Sequence, residues 1–162
     1  SYFLYSHYLK QTIMSLSADV MTKMKEAMKA KDQNALTSLR AIKSALLLAQ
    51  TETGSKEEIS EEQELKMLQK LVKQRKDSAA IYLEQGREDL AAPELEQAKV
   101  IESFLPEQMS EEEIAKVVED IIAKTGASSM ADMGKVMGMA SGQLSGKADG
   151  KTISTIVKSK LA

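Results

Sequence analysis

Three glycines spaced four residues apart are the chemically most informative feature of this chain. Gly134, Gly138 and Gly142 have helical spacing, although each interior glycine costs a helix about 1 kcal/mol relative to alanine. A helix flank without side chains lets another backbone come close. The line therefore indicates one of two arrangements: tight helix packing within the domain, or a surface that receives the backbone of a ligand.

Hydroxyl and ammonium groups surround this line in the sequence. From Ser128 onward the chain holds five lysines and two aspartates. Helix N-termini bind phosphate through their free N–H groups, and lysine adds a point charge. These residues therefore indicate a locally basic surface that attracts phosphate groups. Its candidate residues are Ser128, Ser129, Gly134, Lys135, Gly138, Gly146, Lys147, Gly150 and Lys151.

The side chains that enzymes use most often are scarce. The chain has one histidine, His7, and no cysteine, which excludes histidine-based triads, thiolate catalysis and Cys-ligated metal sites. Ser128 and Ser129 could act as nucleophiles only beside a lysine of lowered pKa, for which Lys135 is the candidate. We interpret both serines as helix caps instead. We expect no catalytic residue, no cofactor and no metal.

A second charged feature is the run KQRKDS at 73–78. Its pattern is typical of a solvated helix face, and a docking surface for a protein partner is the alternative. In that alternative the partner-binding residues would be Lys73, Arg75 and Lys76.

Composition sets the class of protein. Of the 162 residues, 43% are hydrophobic, 28% are charged and 4% are aromatic, which is typical of a globular protein. The formal net charge of −2 argues against a strongly basic nucleic-acid binder. No apolar run approaches the roughly 20 residues that cross a bilayer, and the lack of cysteine fits a reducing cytoplasm. We predict an all-α, cytoplasmic protein.

Hydrophobic periodicity predicts seven helices, four longer ones and then three short ones. The first is expected at about 18–31, capped by Ser17, with Met21, Met24 and Met28 on its buried face. The other helices are expected at about 32–53, 60–85, 89–105, 111–124, 130–142 and 149–161.

Local signals mark several helix starts. Ser60 and Ser110 each begin a capping box. Asp32 and Asp149 are expected to cap two more helices. Pro93 is compatible with the fourth helix only within its first turn.

The segment LPEQMSEEE is the expected domain boundary. We predict an N-terminal four-helix domain at 14–106 and a small three-helix C-terminal domain at 107–162. Residues 1–13 lack the features of a secretory signal, and we interpret them as a leader or upstream extension before a natural start at Met14. An amphipathic first turn packed on the bundle is the alternative for these residues.

Several ordered motifs together resemble the GatB/YqeY family, specifically its stand-alone YqeY-like members. They are LRAIKSAL, KQRKDSAAIY, GREDLA, FLPEQMSEEE, GASSMADMGKVMG and GKADGK. The resemblance covers 14–162 and implies an N-terminal helical domain followed by a small three-helix domain. It also implies similarity between the C-terminal region and the tail of the B subunit of the glutamine-dependent tRNA amidotransferase. In that enzyme, which converts Glu-tRNA(Gln) or Asp-tRNA(Asn) to the amide, the tail helps to hold tRNA and the catalytic residues lie elsewhere.

From the residues and this resemblance we predict an accessory tRNA-binding module without catalytic residues of its own. The candidate residues listed above form its RNA-binding surface: three lysines contact phosphates, and two serines donate hydrogen bonds. Expected partners are tRNA, bound weakly by the protein alone, and an aminoacyl-tRNA synthetase or amidotransferase subunit, with neither membrane nor DNA among them. A protein–protein adaptor is one alternative. The other is carbon–nitrogen ligase activity, with glutamine as amido donor, as part of a transamidation complex.

Overall fold

The computed structural model describes residues 15–54 and 59–162, so the predicted leader and the predicted start at Met14 lie outside the described residues. Within them the secondary structure is helical and contains no strand, which confirms the all-α prediction. The α-helices are α1 (Leu16–Ala30), α2 (Gln33–Glu52), α3 (Glu61–Glu84), α4 (Glu88–Glu102), α5 (Glu111–Thr125), α6 (Met133–Gln143) and α7 (Gly150–Leu161), with a 3₁₀ turn at Met130–Asp132 before α6.

Both predicted capping boxes form. The Ser60 hydroxyl accepts a hydrogen bond from the N–H of Gln63 at 3.2 Å, and the Gln63 Oε1 accepts one from the N–H of Ser60 at 3.0 Å. Ser110 and Glu113 repeat the arrangement at the start of α5. Each box satisfies two N–H groups that have no partner within the helix.

The start of α1 differs from the prediction. Ser15, not Ser17, is the cap, and its hydroxyl accepts a hydrogen bond from the N–H of Ala18 at 3.1 Å. Two serines stand two residues apart here, and either could cap. The one farther upstream adds about half a turn to the helix.

The chain forms two compact units, Ser1–Phe104 and Leu105–Ala162. The predicted boundary lies two residues later, and the status of the units as independent domains stays a prediction. In the first unit α3 and α4 form an antiparallel pair, α2 packs on α4 and touches α3, and α1 packs on α2. Its most deeply buried large side chains are Val20, Leu39, Ile42, Leu68 and Ile101.

The predicted face of α1 is only partly correct: Met24 is half-buried, but the other two methionines are not. Met21 and Met28 are 42% and 52% exposed, whereas Val20 and Ala27 are buried. The only extensive packing of α1 among the described helices is with α2, so its buried stripe is narrow. Small side chains at the contact permit a short distance between the two helices.

Pro93 lies in the second turn of α4, not the first, because the helix begins at Glu88. The helix continues through it to Glu102. The missing N–H of proline removes one hydrogen bond of the helix, and packing of α4 on α2 and α3 holds the helix despite this loss.

The second unit is a bundle of α5, α6 and α7, each packed on the other two. Its core is formed by Ile114, Val118, Ile121, Val136, Ala140, Leu144, Ala148, Ile153, Val157 and Leu161. The segment before α5 is tied to the loop between α6 and α7. The amide of Gln108 donates to the carbonyl of Gly146 at 2.7 Å, and the N–H of Met109 donates to the carbonyl of Lys147 at 2.9 Å.

Candidate nucleic-acid interface

Helix α6 turns its glycines toward solvent. Gly134, Gly138 and Gly142 are exposed, and a Cβ atom added to any of them would meet nothing within 4 Å among the described residues. At about 100° per residue the three lie within an arc of about 80°, on the side opposite the buried Val136 and Ala140. We call this side of α6 the glycine face. Close packing inside the unit does not account for these glycines.

Lys135 stands at one edge of the glycine face. It is exposed and lies three residues before Gly138 and seven before Gly142, positions that share a side of a helix. The side chain of Met139, one turn further along, is 38% exposed on the same edge. The glycine face is thus bordered by an ammonium group and a thioether.

The N-terminal end of α6 carries its own anion. The carboxylate of Asp132 accepts hydrogen bonds from the N–H groups of Ser128 at 3.0 Å and Ser129 at 3.4 Å. The hydroxyl of Ser129 accepts one from the N–H of Ala131 at 3.3 Å, so Ser129 is a cap. These N–H groups are therefore used internally, and the two exposed serines can offer a ligand only their hydroxyl protons.

The start of α7 brings two of the candidate residues to the surface. Asp149 caps the helix through the N–H of Thr152 at 2.8 Å and the hydroxyl of Thr152 at 2.8 Å. Gly150 and Lys151 follow in the first turn, and both are exposed.

Gly146 does not belong to this surface. It is buried, its φ of 76° lies in the left-handed region that favours glycine, and its carbonyl accepts the hydrogen bond from Gln108. The sequence alone offered no sign of this role, because the partner in that hydrogen bond lies 38 residues away.

The three candidate lysines do not form one compact cluster. Lys135 lies near the start of α6, whereas Lys147 and Lys151 lie beyond its end at Gln143. The helix rises about 12 Å between Lys135 and Gln143. A ligand that contacts all three lysines must therefore be extended and run along α6.

The charged residues that follow Ser128 in the sequence are mostly positive. Of the five lysines after Ser128, Lys160 forms an ion pair with Glu119 at 2.7 Å, and the two aspartates in this stretch both accept hydrogen bonds from main-chain N–H groups. Three of the acidic residues of this unit lie together at the start of α5, at Glu111, Glu112 and Glu113.

The run at 73–78 has a different character. Lys73 pairs with Asp77 at 2.7 Å, and Lys76 pairs with Glu102 of α4 at 2.6 Å. Arg75 is half-buried, and its Nη1 donates to the carbonyl of Leu71 at 3.2 Å. Its Nε is buried and has no hydrogen-bond partner within the described part of the chain. The three candidate partner-binding residues thus do not present one common cationic surface.

Elsewhere the first unit has a groove that the sequence did not reveal. Its volume is about 240 Å³, and its lining includes Ala27, Ala35, Leu39 and Phe104. Over 15–54 and 59–162 no group of three or more His, Cys, Asp or Glu side chains could hold a metal ion. None of the helices described for this chain is both long and apolar enough to cross a membrane.

Comparison with known proteins gives a family match and two curated relatives. The family model described as "Yqey-like protein" matches residues 17–161. The chain is 31% identical over 133 residues to "Altered inheritance of mitochondria protein 41, mitochondrial" of Vanderwaltozyma polyspora, an alignment that covers 78% of this chain and 69% of that protein. It is 33% identical over 99 residues to the protein of the same name from Kluyveromyces lactis, covering 59% of this chain and 53% of that relative.

Proposed function

The chain belongs to the family of Yqey-like proteins. We propose that it is an accessory RNA-binding protein that contacts tRNA weakly through the glycine face of α6. One observation carries the proposal: three helical glycines are exposed, and an added Cβ at any of them would have no neighbour within 4 Å in the described part of the chain. Together they cost α6 about 2–3 kcal/mol of helix propensity. Since no contact among residues 15–54 and 59–162 explains this cost, we propose that a ligand that needs the bare main chain does.

The backbone of RNA suits such a surface. Structured RNA is recognised largely by shape and by contacts to phosphates and 2′-hydroxyls. A glycine face admits the sugar–phosphate chain close to α6, and the hydroxyls of Ser128 and Ser129 are available as donors. Lys135 at one end of α6 and Lys147 and Lys151 at the other suit an extended polyanion, since they are separated by the length of the helix.

The number of lysines limits the affinity. Three phosphate contacts predict a slope of log Kobs against log salt of about −2 to −3. This is too shallow for strong electrostatic capture, and the net charge of the chain is −2. We therefore propose weak binding by the protein alone, strengthened by a partner that also holds the tRNA, such as an aminoacyl-tRNA synthetase or an amidotransferase subunit.

Charge reversal at the site is the direct test. The variant Lys135→Glu/Lys147→Glu/Lys151→Glu should lose binding to deacylated tRNA in fluorescence anisotropy while keeping its circular dichroism spectrum. The matched control is Lys116→Glu/Lys124→Glu/Lys158→Glu, which changes three exposed lysines of the same unit by the same charge. Equal losses in both variants, or binding that survives in the first, would place the contact elsewhere.

The salt dependence gives a second test of the same proposal. A slope steeper than about −5 would require more phosphate contacts than this surface offers. Such a result would rule out the assignment even if tRNA binds.

A protein–protein adaptor is the second candidate, favoured by the apolar side chains beside the glycine face. Met130 and Met139 are 46% and 38% exposed, and a partner helix could pack between them against the bare main chain. Capture of a specific protein that survives ribonuclease treatment, and is lost in Gly138→Leu, would favour this function over RNA binding.

Participation in a transamidation complex is the finer function that the family resemblance suggests. Under this proposal the chain contributes tRNA contacts, and the carbon–nitrogen ligase chemistry with glutamine as amido donor belongs to other subunits. Amide formation on mischarged tRNA, measured with and without this protein, tests it. We expect no amide formation by the purified chain alone.

For the compartment we propose the cytoplasm, on the basis of the lack of cysteine. The two curated relatives carry the word mitochondrial in their names, which makes a mitochondrial site the competing proposal. Subcellular fractionation followed by immunoblotting decides between them.

A further inference from the structure

Methionine sulfur is the readily oxidised group of this protein, because the chain has ten methionines and no cysteine. Four described methionines are exposed: Met21, Met28, Met130 and Met139. In the second unit Met133 and Met137 pack against the core instead. Oxidation of methionine follows exposure, so α6 and the turn before it contain both reactive and protected sulfurs.

Of these exposed methionines, Met139 is the one on the edge of the glycine face. It follows Gly138 directly and precedes Gly142 by three residues. A neighbour three residues further along would normally cover part of a side chain on a helix surface, but here that neighbour, Gly142, contributes no side-chain atoms. Lys135 lies four residues earlier, within side-chain reach on the same edge.

We propose that Met139 is an oxidation site that controls ligand binding at the glycine face. The inference rests on the proposed function. Hydrogen peroxide transfers one oxygen atom to the thioether sulfur: the O–O bond breaks, an S–O bond forms, and the peroxide leaves as water. The sulfur is oxidised by two electrons and the peroxide is reduced by two, so no further reactant is needed.

The product changes the surface beside Lys135. The sulfoxide is polar, and its oxygen is a hydrogen-bond acceptor where the thioether offered an apolar contact. That oxygen competes with a phosphate for the ammonium group of Lys135. At this exposed position we expect the loss of a hydrogen bond of ordinary strength, which corresponds to an affinity about three- to tenfold weaker.

Peptide mapping by mass spectrometry tests the site itself. The full-length protein is treated with hydrogen peroxide under conditions that leave its circular dichroism spectrum unchanged. Met139 should be oxidised at a rate similar to that of Met28 and several-fold faster than Met133 and Met137. Oxidation of Met139 no faster than that of Met137 overturns the proposal.

Binding of deacylated tRNA after peroxide treatment tests whether oxidation of Met139 controls ligand binding. Wild type and the matched control Met28→Leu, which removes an exposed sulfur from the first unit, should both lose affinity about three- to tenfold. Met139→Leu should keep its affinity, and methionine sulfoxide reductase should restore that of the wild type.

The outcomes separate the two proposals. Binding by the untreated wild type that persists after Met139 is oxidised overturns the oxidation proposal and leaves the RNA-binding proposal standing. Equal loss in Met139→Leu and wild type also overturns it. Lack of binding before any treatment refutes the proposed function and, with it, its control by oxidation.

Discussion

Two basic stretches of this chain have opposite structural outcomes. In the run at 73–78 the lysines are paired with Asp77 and Glu102, and the arginine is half-buried along α3. In α6 a single lysine borders a helix side that has no side chains at all. The stretch with the higher density of positive charge is thus the one whose two lysines are already paired with acidic side chains.

This difference shows that the density of positive charge alone does not identify a binding surface in a protein of nearly balanced charge. Exposed ion pairs contribute only about 0–1 kcal/mol, and a run of lysines along a helix commonly finds acidic neighbours. A set of glycines that lowers helix stability without improving packing is rarer. We therefore explain the glycines of α6 by a contact with a molecule outside the helix.

The largest expected effect comes from filling the glycine face. The variant Gly134→Ala/Gly138→Ala/Gly142→Ala should raise the free energy of unfolding of the second unit by about 2–3 kcal/mol, because alanine favours the helix and its methyl groups enter open space. Urea titration followed by circular dichroism measures the gain. The same variant should bind tRNA more weakly, and unchanged affinity would remove the glycine face from the contact.

Gly126 provides the opposite result in the same unit. Its φ is 70°, and it ends α5 as a left-handed cap. Gly126→Ala should lower the free energy of unfolding by about 1–2 kcal/mol, since a Cβ is strained in this conformation. A gain in stability here, measured by the same urea titration, would contradict the distinction between the two kinds of glycine.

A smaller effect separates the lysines of the two stretches. Lys135→Gln should weaken tRNA binding and make the salt slope shallower by about 1. Lys73→Gln/Lys76→Gln should leave tRNA affinity unchanged and lower stability by less than about 1 kcal/mol, since both ion pairs are exposed. Anisotropy titrations at several salt concentrations provide both values, and a larger loss in the second variant would reverse the assignment.

The smallest effect concerns the turn between α3 and α4. Both oxygens of Asp89 accept hydrogen bonds from the guanidinium of Arg87 at 3.0 Å. These bonds lower the pKa of Asp89 below its ordinary value. A carboxylate with a lowered pKa in the folded state stabilises the fold at neutral pH, and this contribution is lost as the pH falls through that pKa.

A carboxyl titration followed by NMR checks this last prediction. Asp89 should titrate at a lower pH in the wild type than in Arg87→Gln. Identical titration of Asp89 in both proteins would show that the pair does not persist in solution.

The sequence was sufficient for the helices because their signals are local. The capping boxes at Ser60 and Ser110 involve residues three positions apart, and the glycine at 126 lies directly after the helix that it ends. Such signals act within one or two turns, so periodicity and residue type identify them without knowledge of the fold.

The features that the sequence did not predict depend on contacts between distant parts of the chain. Residues 20 and 21 of α1 are both apolar, and only the position of α2 decides that Val20 is buried and Met21 exposed. In the sequence Gly146 looks like the other glycines near it, and only the hydrogen bond from Gln108 shows that it has a structural role. The open surroundings of Gly138 were equally invisible, because a helical glycine can face a neighbour or solvent.

The shortness of α6 has a consequence for how its surface comes into being. The helix has 11 residues, three of them glycine, and isolated helices shorter than roughly 12–15 residues are marginal in water even when rich in alanine. It exists because Val136 and Ala140 are anchored against α5 and α7. A chain that stopped at Lys147 would lack α7 and should therefore lose α6 as well, so the surface appears and melts together with the bundle in one cooperative step.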